Sequence, residues 1–258
     1  MKFKFSIFLL SIIFVACTQK PNNKGEYVIK PNEQSKEIRI KYKENGSINY
    51  IQQYSEDKPD GLFLNFHNNQ NPDNLTFIKN EKNTGTGLVF HNNGLLNNVG
   101  QYIDGEKTGW FYVFDKNSVL TGKREYIIID GKSYMNQWIQ YDHNGEPDKY
   151  SSSYISLKPI KDTINKGEKY QLKISLEASY FKQYMILIVG PFDENFKLPE
   201  NKKCDTIKSS NYIANYSTDK YKNGENIIRG IVQELKRNDT GTGYSVRNIY
   251  FIKKFYVF

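Results

Sequence analysis

The sequence predicts an all-β protein: an elongated, single-layer antiparallel sheet of β-hairpin repeats, followed by a C-terminal β-sandwich. Three observations carry this prediction. A shift of 24 residues superimposes Tyr42, Phe66, Phe90 and Phe114, then Tyr54, Ile78, Tyr102 and Tyr126, then Gly61, Gly85 and Gly109. The composition combines 20 Tyr and 16 Phe, which favour strands, with 18 Gly and many Asn, which favour turns. Beyond Ser151 the period stops and longer alternating runs replace it, as where Tyr170, Leu172, Ile174 and Leu176 interleave with Gln171, Lys173 and Ser175.

At 258 residues the chain can hold two ordinary domains, each with a core of its own. An apolar fraction of 38% excludes a polytopic membrane protein, and 15% aromatic residues is too rich for a disordered chain. The net charge of +8 raises nucleic-acid binding as a question. The lysines, however, alternate with Glu and Asp along predicted strands instead of forming blocks. They read as solvated strand faces, and no nucleic-acid partner is expected.

The chain opens on Lys2 and Lys4, followed by the apolar run Phe5 to Val15. That run is too short to span a bilayer as a helix and suits the apolar region of a secretory signal. It ends at Phe14-Val15-Ala16-Cys17, which resembles a bacterial lipoprotein signal, with Phe14 where that family usually carries Leu. The resemblance implies that residues 1–16 are a signal peptide cleaved after Ala16 and that Cys17 is the site of lipid attachment. It further implies a lipid-anchored place in a bacterial cell envelope, with the membrane as partner through Cys17. Thr18, a residue other than Asp, points to the outer membrane. An ordinary cleaved signal with an incidental cysteine, or an uncleaved anchor, are the alternatives. Several acyl chains on one residue would hold a soluble domain to a membrane where a single chain is marginal.

Residues 17–35 are polar, carry Pro21 and Pro31, and are expected to form a tether. With Cys17 acylated, Cys204 has no cysteine to pair with, and no histidine lies beyond His143 in sequence to activate it. Cys204 is expected to be a bystander thiol.

Residues 36–150 hold the hairpin repeats. Ile38, Ile40 and Tyr42 alternate with Arg39 and Lys41, the period-2 mark of a half-buried strand, and Asn45-Gly46 turns the chain into a returning strand from Ile48 to Tyr54. Later outgoing strands run from Leu62 to Phe66, Gly87 to Phe90 and Trp110 to Phe114. The returning ones run from Leu75 to Lys79, Leu95 to Ile103 and Val119 to Ile129. Polar turns follow at His67-Asn68-Asn69, at His91 to Gly94 and at Asp115 to Ser118. Links at the opposite end are expected at Asp57 to Gly61, Glu81 to Gly85, Gly105 to Gly109 and Asp130 to Lys132. A last half unit, Trp138 to Tyr141 with the turn Asp142 to Gly145, is offset by 27, so a short insertion precedes it.

This pattern resembles the MORN-type repeat, and more closely its bacterial variant in a family named for a putative antitoxin. Tyr102, Asp104, Gly105, Lys107, Gly109, Trp110, Phe114 and Asn117 carry the resemblance, with the preceding Asn93-Gly94. It covers about 100 of the 258 residues and implies a fold more than a function. Asp57 and Glu81 replace the Gly of one turn, and Gln70 and Ser118 stand where Gly94 does, so looser turns are expected there. A lone hairpin is marginal in water and gains stability by pairing sideways with the next. The repeated aromatics are expected to stack along one face, at about 0.2–1 kcal/mol per cross-strand contact, leaving an aromatic surface able to bind a partner.

Residues 151–258 are expected to form the sandwich. Candidate strands are Tyr154 to Leu157, Tyr170 to Leu176, Tyr184 to Val189, Tyr212 to Tyr216, Ile227 to Leu235 and Tyr244 to Phe258. The run Gly224 to Gly230 before the last aromatic strand looks like immunoglobulin-like modules of bacterial envelope proteins.

Catalytic patterns are few. His67, His91 and His143 fall in turns of successive hairpins, a row instead of a cage, so they read as solvated turn residues and no metal is expected. Gly85-Thr86-Gly87 and Gly241-Thr242-Gly243 lack the Lys and Ser/Thr of a phosphate loop and read as turns. No nucleophile elbow, zinc-protease motif, Cys–His pair or apolar carboxylate pair is found, so neither enzyme activity nor a cofactor is expected. The reading is a non-enzymatic, lipid-anchored envelope protein acting as a binding or scaffold module for a protein or glycan. The alternative, suggested by the resembling family's name, is an immunity or antitoxin-like protein that neutralises a toxin at the envelope. The sequence does not single out ligand-binding residues.

Overall fold

The computed structural model describes residues 25–29, 36–209 and 211–258. The signal segment 1–16, Cys17 and most of the expected tether lie outside the described residues. Among the described residues the protein is all-β, with no helix.

Ten strands follow one another in chain order in an antiparallel sheet. They are β1 (Glu26–Ile29), β2 (Glu37–Tyr42), β3 (Ile48–Ser55), β4 (Lys58–Phe66), β5 (Pro72–Lys79), β6 (Lys82–Phe90), β7 (Leu96–Ile103), β8 (Glu106–Phe114), β9 (Leu120–Ile129) and β10 (Lys132–Gln140). Strand β1 lies within the span read from sequence as a tether. Tyr27 faces Ile40 across its ladder and is buried, so this short stretch has enough apolar surface to pair.

The two ends of the hairpins use different turns. At one end the chain crosses in two residues with positive φ: Glu56-Asp57, Asn80-Glu81, Asp104-Gly105 and Asp130-Gly131. This is the twist-matched hairpin turn, tolerated here by acidic and amide side chains where Gly is absent. The turns are therefore tighter than the sequence suggested. Lys58, Lys82 and Glu106 already begin strands.

The 24-spaced glycines lie inside these strands. Gly61, Gly85 and Gly109 all have positive φ, and the registers show Gln53 and Thr76 each facing three residues of the bulged partner around the first two. A positive φ is common to turns and to bulges, which is why the sequence pattern did not separate them.

At the other end five turns share one geometry. His67 N–H donates to the Asn71 carbonyl at 2.9 Å and Gln70 N–H to the His67 carbonyl at 3.1 Å. The same pair of bonds recurs from Lys43, His91, Asp115 and Asp142 at 2.8–3.1 Å. Gln70 and Ser118 take the left-handed conformation that Gly46, Gly94 and Gly145 adopt elsewhere. The expected looser turns are not found, because the turn's hydrogen bonds hold the non-Gly residues in place.

An apolar row, aliphatic beyond Tyr27, forms the spine of the first strands. Tyr27, Ile40, Ile51, Leu64, Leu75, Leu88 and Val99 pair one after another from β1 to β7. Its first five members are buried. The aromatics one repeat apart do not stack on each other as expected. Equivalent positions lie two strands apart, about 10 Å at the usual strand spacing. Rings meet instead across neighbouring strands, as Tyr50 and Phe63 do at 5.7 Å between centroids.

The remaining strands form two further sheets. A three-stranded sheet has the order β11 (Tyr154–Pro159), β13 (Tyr170–Ala178), β16 (Ile213–Thr218). A five-stranded sheet has the order β12 (Thr163–Ile164), β18 (Tyr244–Val257), β17 (Gly224–Arg237), β14 (Tyr184–Gly190), β15 (Asp205–Ser209). Their apolar faces share one core in which Leu172, Ile174, Leu187, Val232 and Ile249 are almost fully buried. Tyr170 stacks on Phe255 at 4.0 Å within it.

The chain divides into two compact units: one runs up to Gly105 and includes Phe114–Val119, the other comprises Glu106–Val113 and Leu120–Phe258. The second unit thus contains β9, β10 and both sandwich sheets.

Candidate functional site

The turn histidines have a structural use. His67 Nε2 lies 3.1 Å from the Phe90 carbonyl, and His91 Nε2 lies 3.0 Å from the Phe114 carbonyl. Lys43, at the equivalent place one repeat earlier, donates to the Phe66 carbonyl at 3.3 Å. Asn69 and Asn93 add side-chain bonds to the next turn, at the carbonyls of Asn92 and Lys116. Each hairpin is therefore tied to its successor through the turn end, and His67 and His91 are half-buried linkers instead of the solvated residues expected. His143 is exposed, as expected of a turn residue. Among the described residues no group of three or more His, Cys, Asp or Glu side chains could hold a metal ion.

The densest polar cluster centres on Glu234 in β17, which has no exposed surface. Its Oε1 accepts from Ser153 Oγ and Arg247 Nη1, both at 2.6 Å. Its Oε2 accepts from Ser179 Oγ at 3.0 Å and Tyr180 N–H at 2.6 Å. Arg247 also donates to the Asn136 carbonyl at 2.6 Å and lies over the Trp138 ring. Burial pulls the Arg247 guanidinium below its usual value, and the adjacent Glu234 carboxylate opposes that shift. Phe181 N–H donates to Oε2 as well, at 3.3 Å, and a buried carboxylate whose oxygens each take two or more donors is a satisfied ion pair, built to hold elements together.

Asn136 explains the break in the repeat period. β9 is 10 residues long where β7 is 8, and β10 carries a register shift between Met135 and Gln137. The extra residue, Asn136, is buried. It donates to Glu125 Oε2 at 2.7 Å and to the Tyr250 carbonyl at 2.9 Å, and accepts from Tyr250 N–H at 2.8 Å. Tyr134 adds a bond to the Asn248 carbonyl at 2.8 Å. On the side away from β17, β18 pairs among the described residues through Tyr256 and Val257 with β12, so these side chains cap backbone groups in the middle of its edge.

Open clefts among the described residues include three. One of about 260 Å³ lies on the repeat sheet, with Phe63, Thr76, Leu88 and Tyr102 in its wall. Thr76 Oγ1 is buried there without a hydrogen-bond partner. A second, of about 390 Å³, lies beside Asn136 and is lined by Glu125, Glu194, Phe196, Ile155 and Tyr250. The third, the largest of these at about 490 Å³, lies on the face of the five-stranded sheet turned away from the core, among Tyr184, Ile186, Lys208, Leu235 and Tyr244. Tyr184 and Tyr244 are both more than half exposed, and their rings meet nearly at right angles with centroids 6.4 Å apart.

Sequence reasoning did not single out Asn136, Glu234, Tyr184 or Tyr244. A signal for the tyrosines exists. In β14, Met185, Leu187 and Val189 face the core, so Tyr184, Ile186 and Ile188 occupy the opposite face, where polar residues are the rule. Cys204 sits over Gly190, with Sγ where a β-carbon of that residue would stand. Burial, then Asp205, pushes the thiol above its usual range, which disfavours the thiolate. Cys17 lies outside the described residues. No protein-family model matches the chain, and no curated protein matches it.

Proposed function

We propose that the protein is a non-enzymatic, lipid-anchored component of a bacterial cell envelope, in which MORN-type hairpin repeats and an immunoglobulin-like sandwich form a binding or scaffold module for a protein or glycan. The observation that carries this reading is the cleft at Tyr184 and Tyr244. Tyr184 and Tyr244 are large, exposed rings on strands that are paired along their length, a rigid platform suited to recognition. The polar groups that chemistry would need are committed elsewhere: Glu234 is saturated by five donors, and His67 and His91 are engaged with backbone carbonyls. The motif ending at Cys17 supports attachment to a membrane, with the outer membrane as the address.

Photo-crosslinking from position 184 of the full chain on intact cells, read by mass spectrometry, tests the reading. A recurrent protein or glycan adduct is the expected result. A secreted toxin as that adduct would instead favour the immunity-type function, and turnover of a hydrolase substrate panel abolished by point substitutions would overturn the proposal. Incorporation of a fatty-acid analogue that disappears in Cys17→Ser tests the anchor separately.

A further inference from the structure

Resting on the binding-module reading, we propose that the Tyr184–Tyr244 cleft takes an anionic saccharide. Three features of the cleft point to this chemistry. The first is its aromatic corner: two tyrosine rings at 79° present two apolar walls, with Ile186 and Leu235 beside them. A pyranose has apolar C–H faces that pack on such rings and hydroxyls at its rim, and tyrosine offers both an apolar body and a polar tip. Neither phenolic hydroxyl has a hydrogen-bond partner among the described residues, so both are available to a ligand.

The second feature is charge. Among the described residues lining the cleft, Lys208 is the only charged one. It is exposed, faces Ile186 across the β14–β15 ladder, and has no ion-pair partner among the described residues. An unpaired ammonium beside an apolar corner complements a carboxylate or sulfate carried on a sugar ring. Some other lysines are neutralised locally, as Lys254 is by Glu225 and Lys253 by Asp162; what sets Lys208 apart is its place beside the rings.

The third feature separates a saccharide from a peptide. An extended peptide gains affinity chiefly from main-chain hydrogen bonds along a free strand edge. The cleft lies over β14, whose residues Met185 to Val189 are paired to β15 on one side and to β17 on the other, so free backbone groups near it are confined to the outer edge of the short strand β15 and to the Tyr184 end of β14. What it offers is rings, hydroxyls and one ammonium.

The experiment is a calorimetric and NMR titration of the purified full chain with oligogalacturonate and, in parallel, a neutral galacto-oligosaccharide of the same length. The acidic sugar is expected to bind about tenfold or more tightly than the neutral one. Tyr184→Ala and Tyr244→Ala should each weaken both sugars about tenfold, whereas Lys208→Gln, an exposed change that leaves the fold intact, should abolish only the preference for the acidic sugar. Equal binding of the two sugars, or a preference that survives Lys208→Gln, overturns the proposal while leaving a binding module. Binding of an acidic peptide with no binding of either sugar also overturns it. Silence with every probe overturns it too, and the crosslinking experiment above then decides separately whether any partner exists.

Discussion

The side chain of Asn136 binds the backbone of Tyr250 twice, accepting from its N–H at 2.8 Å and donating to its carbonyl at 2.9 Å. No hydrophobic residue at this bulge could replace those bonds. Asn136→Leu would leave a donor and an acceptor of β18 without partners, at about 2–3 kcal/mol in total. Urea denaturation is expected to show that loss, and hydrogen exchange at the Tyr250 amide should accelerate with it.

Glu234 and Arg247 predict a different pattern. Glu234→Gln keeps the shape but leaves a buried guanidinium without its counter-charge, which costs about 3–5 kcal/mol when one partner of such a pair is removed. Replacing both, as Glu234→Met with Arg247→Leu, is expected to cost less than the single change. A double-mutant cycle of Glu234→Met, Arg247→Leu and the pair, followed by thermal unfolding alongside Glu234→Gln, checks the order.

Tyr170 buries a hydroxyl that has no partner, and burial, with Asp162 adding to it, pushes its pKa up to about 12 from 10.0. The folded state thus holds its proton more tightly than the unfolded state does. That contribution is complete below the unfolded value of 10.0 and is lost as pH rises through about 12. Tyr170→Phe is expected to leave stability at neutral pH unchanged, or raised by up to about 1 kcal/mol, and to remove this part of the alkaline loss. Denaturation curves at a series of alkaline pH values compare the two proteins.

His91→Ala should loosen the link between one hairpin and the next by about 1 kcal/mol, with faster exchange confined to the neighbouring turns. His91→Lys is expected to restore most of it, since Lys43 already makes the same reach to the Phe66 carbonyl. Hydrogen exchange across the five equivalent turns reads the outcome locally.

The limits of sequence reading follow from how far apart the interacting residues lie. Repeat phase, strand order and the face of β13 are local patterns, and Tyr42, Phe66 and Phe90 or the alternation from Tyr170 to Leu176 expose them directly. Ile40, Leu64 and Leu88, with Ile51, Leu75 and Val99, carry the same 24-residue spacing and form the actual spine, but the aromatics drew attention first. The partners of Asn136 and Glu234 include residues more than 80 positions away, at Tyr250 and Ser153. An isolated Asn or Glu carries no mark of that. The cleft tyrosines were half legible, because their strands were predicted while the loading of the outer face was not.

The segment following β10 has a further consequence. Trp138 and Ser153 exchange both backbone hydrogen bonds at 3.0 Å, and Asp148 N–H caps the Gln140 carbonyl at 2.8 Å. Together they occupy the edge on which another hairpin would have to be templated. Each link through His67 or His91, by contrast, spans 23 residues and refers only to the neighbouring copy. Whole units could therefore be gained or lost among the middle hairpins with their mutual bonding preserved, while the Asn136 end has to stay as it is. Length is a variable of this architecture, and its terminus is a constant.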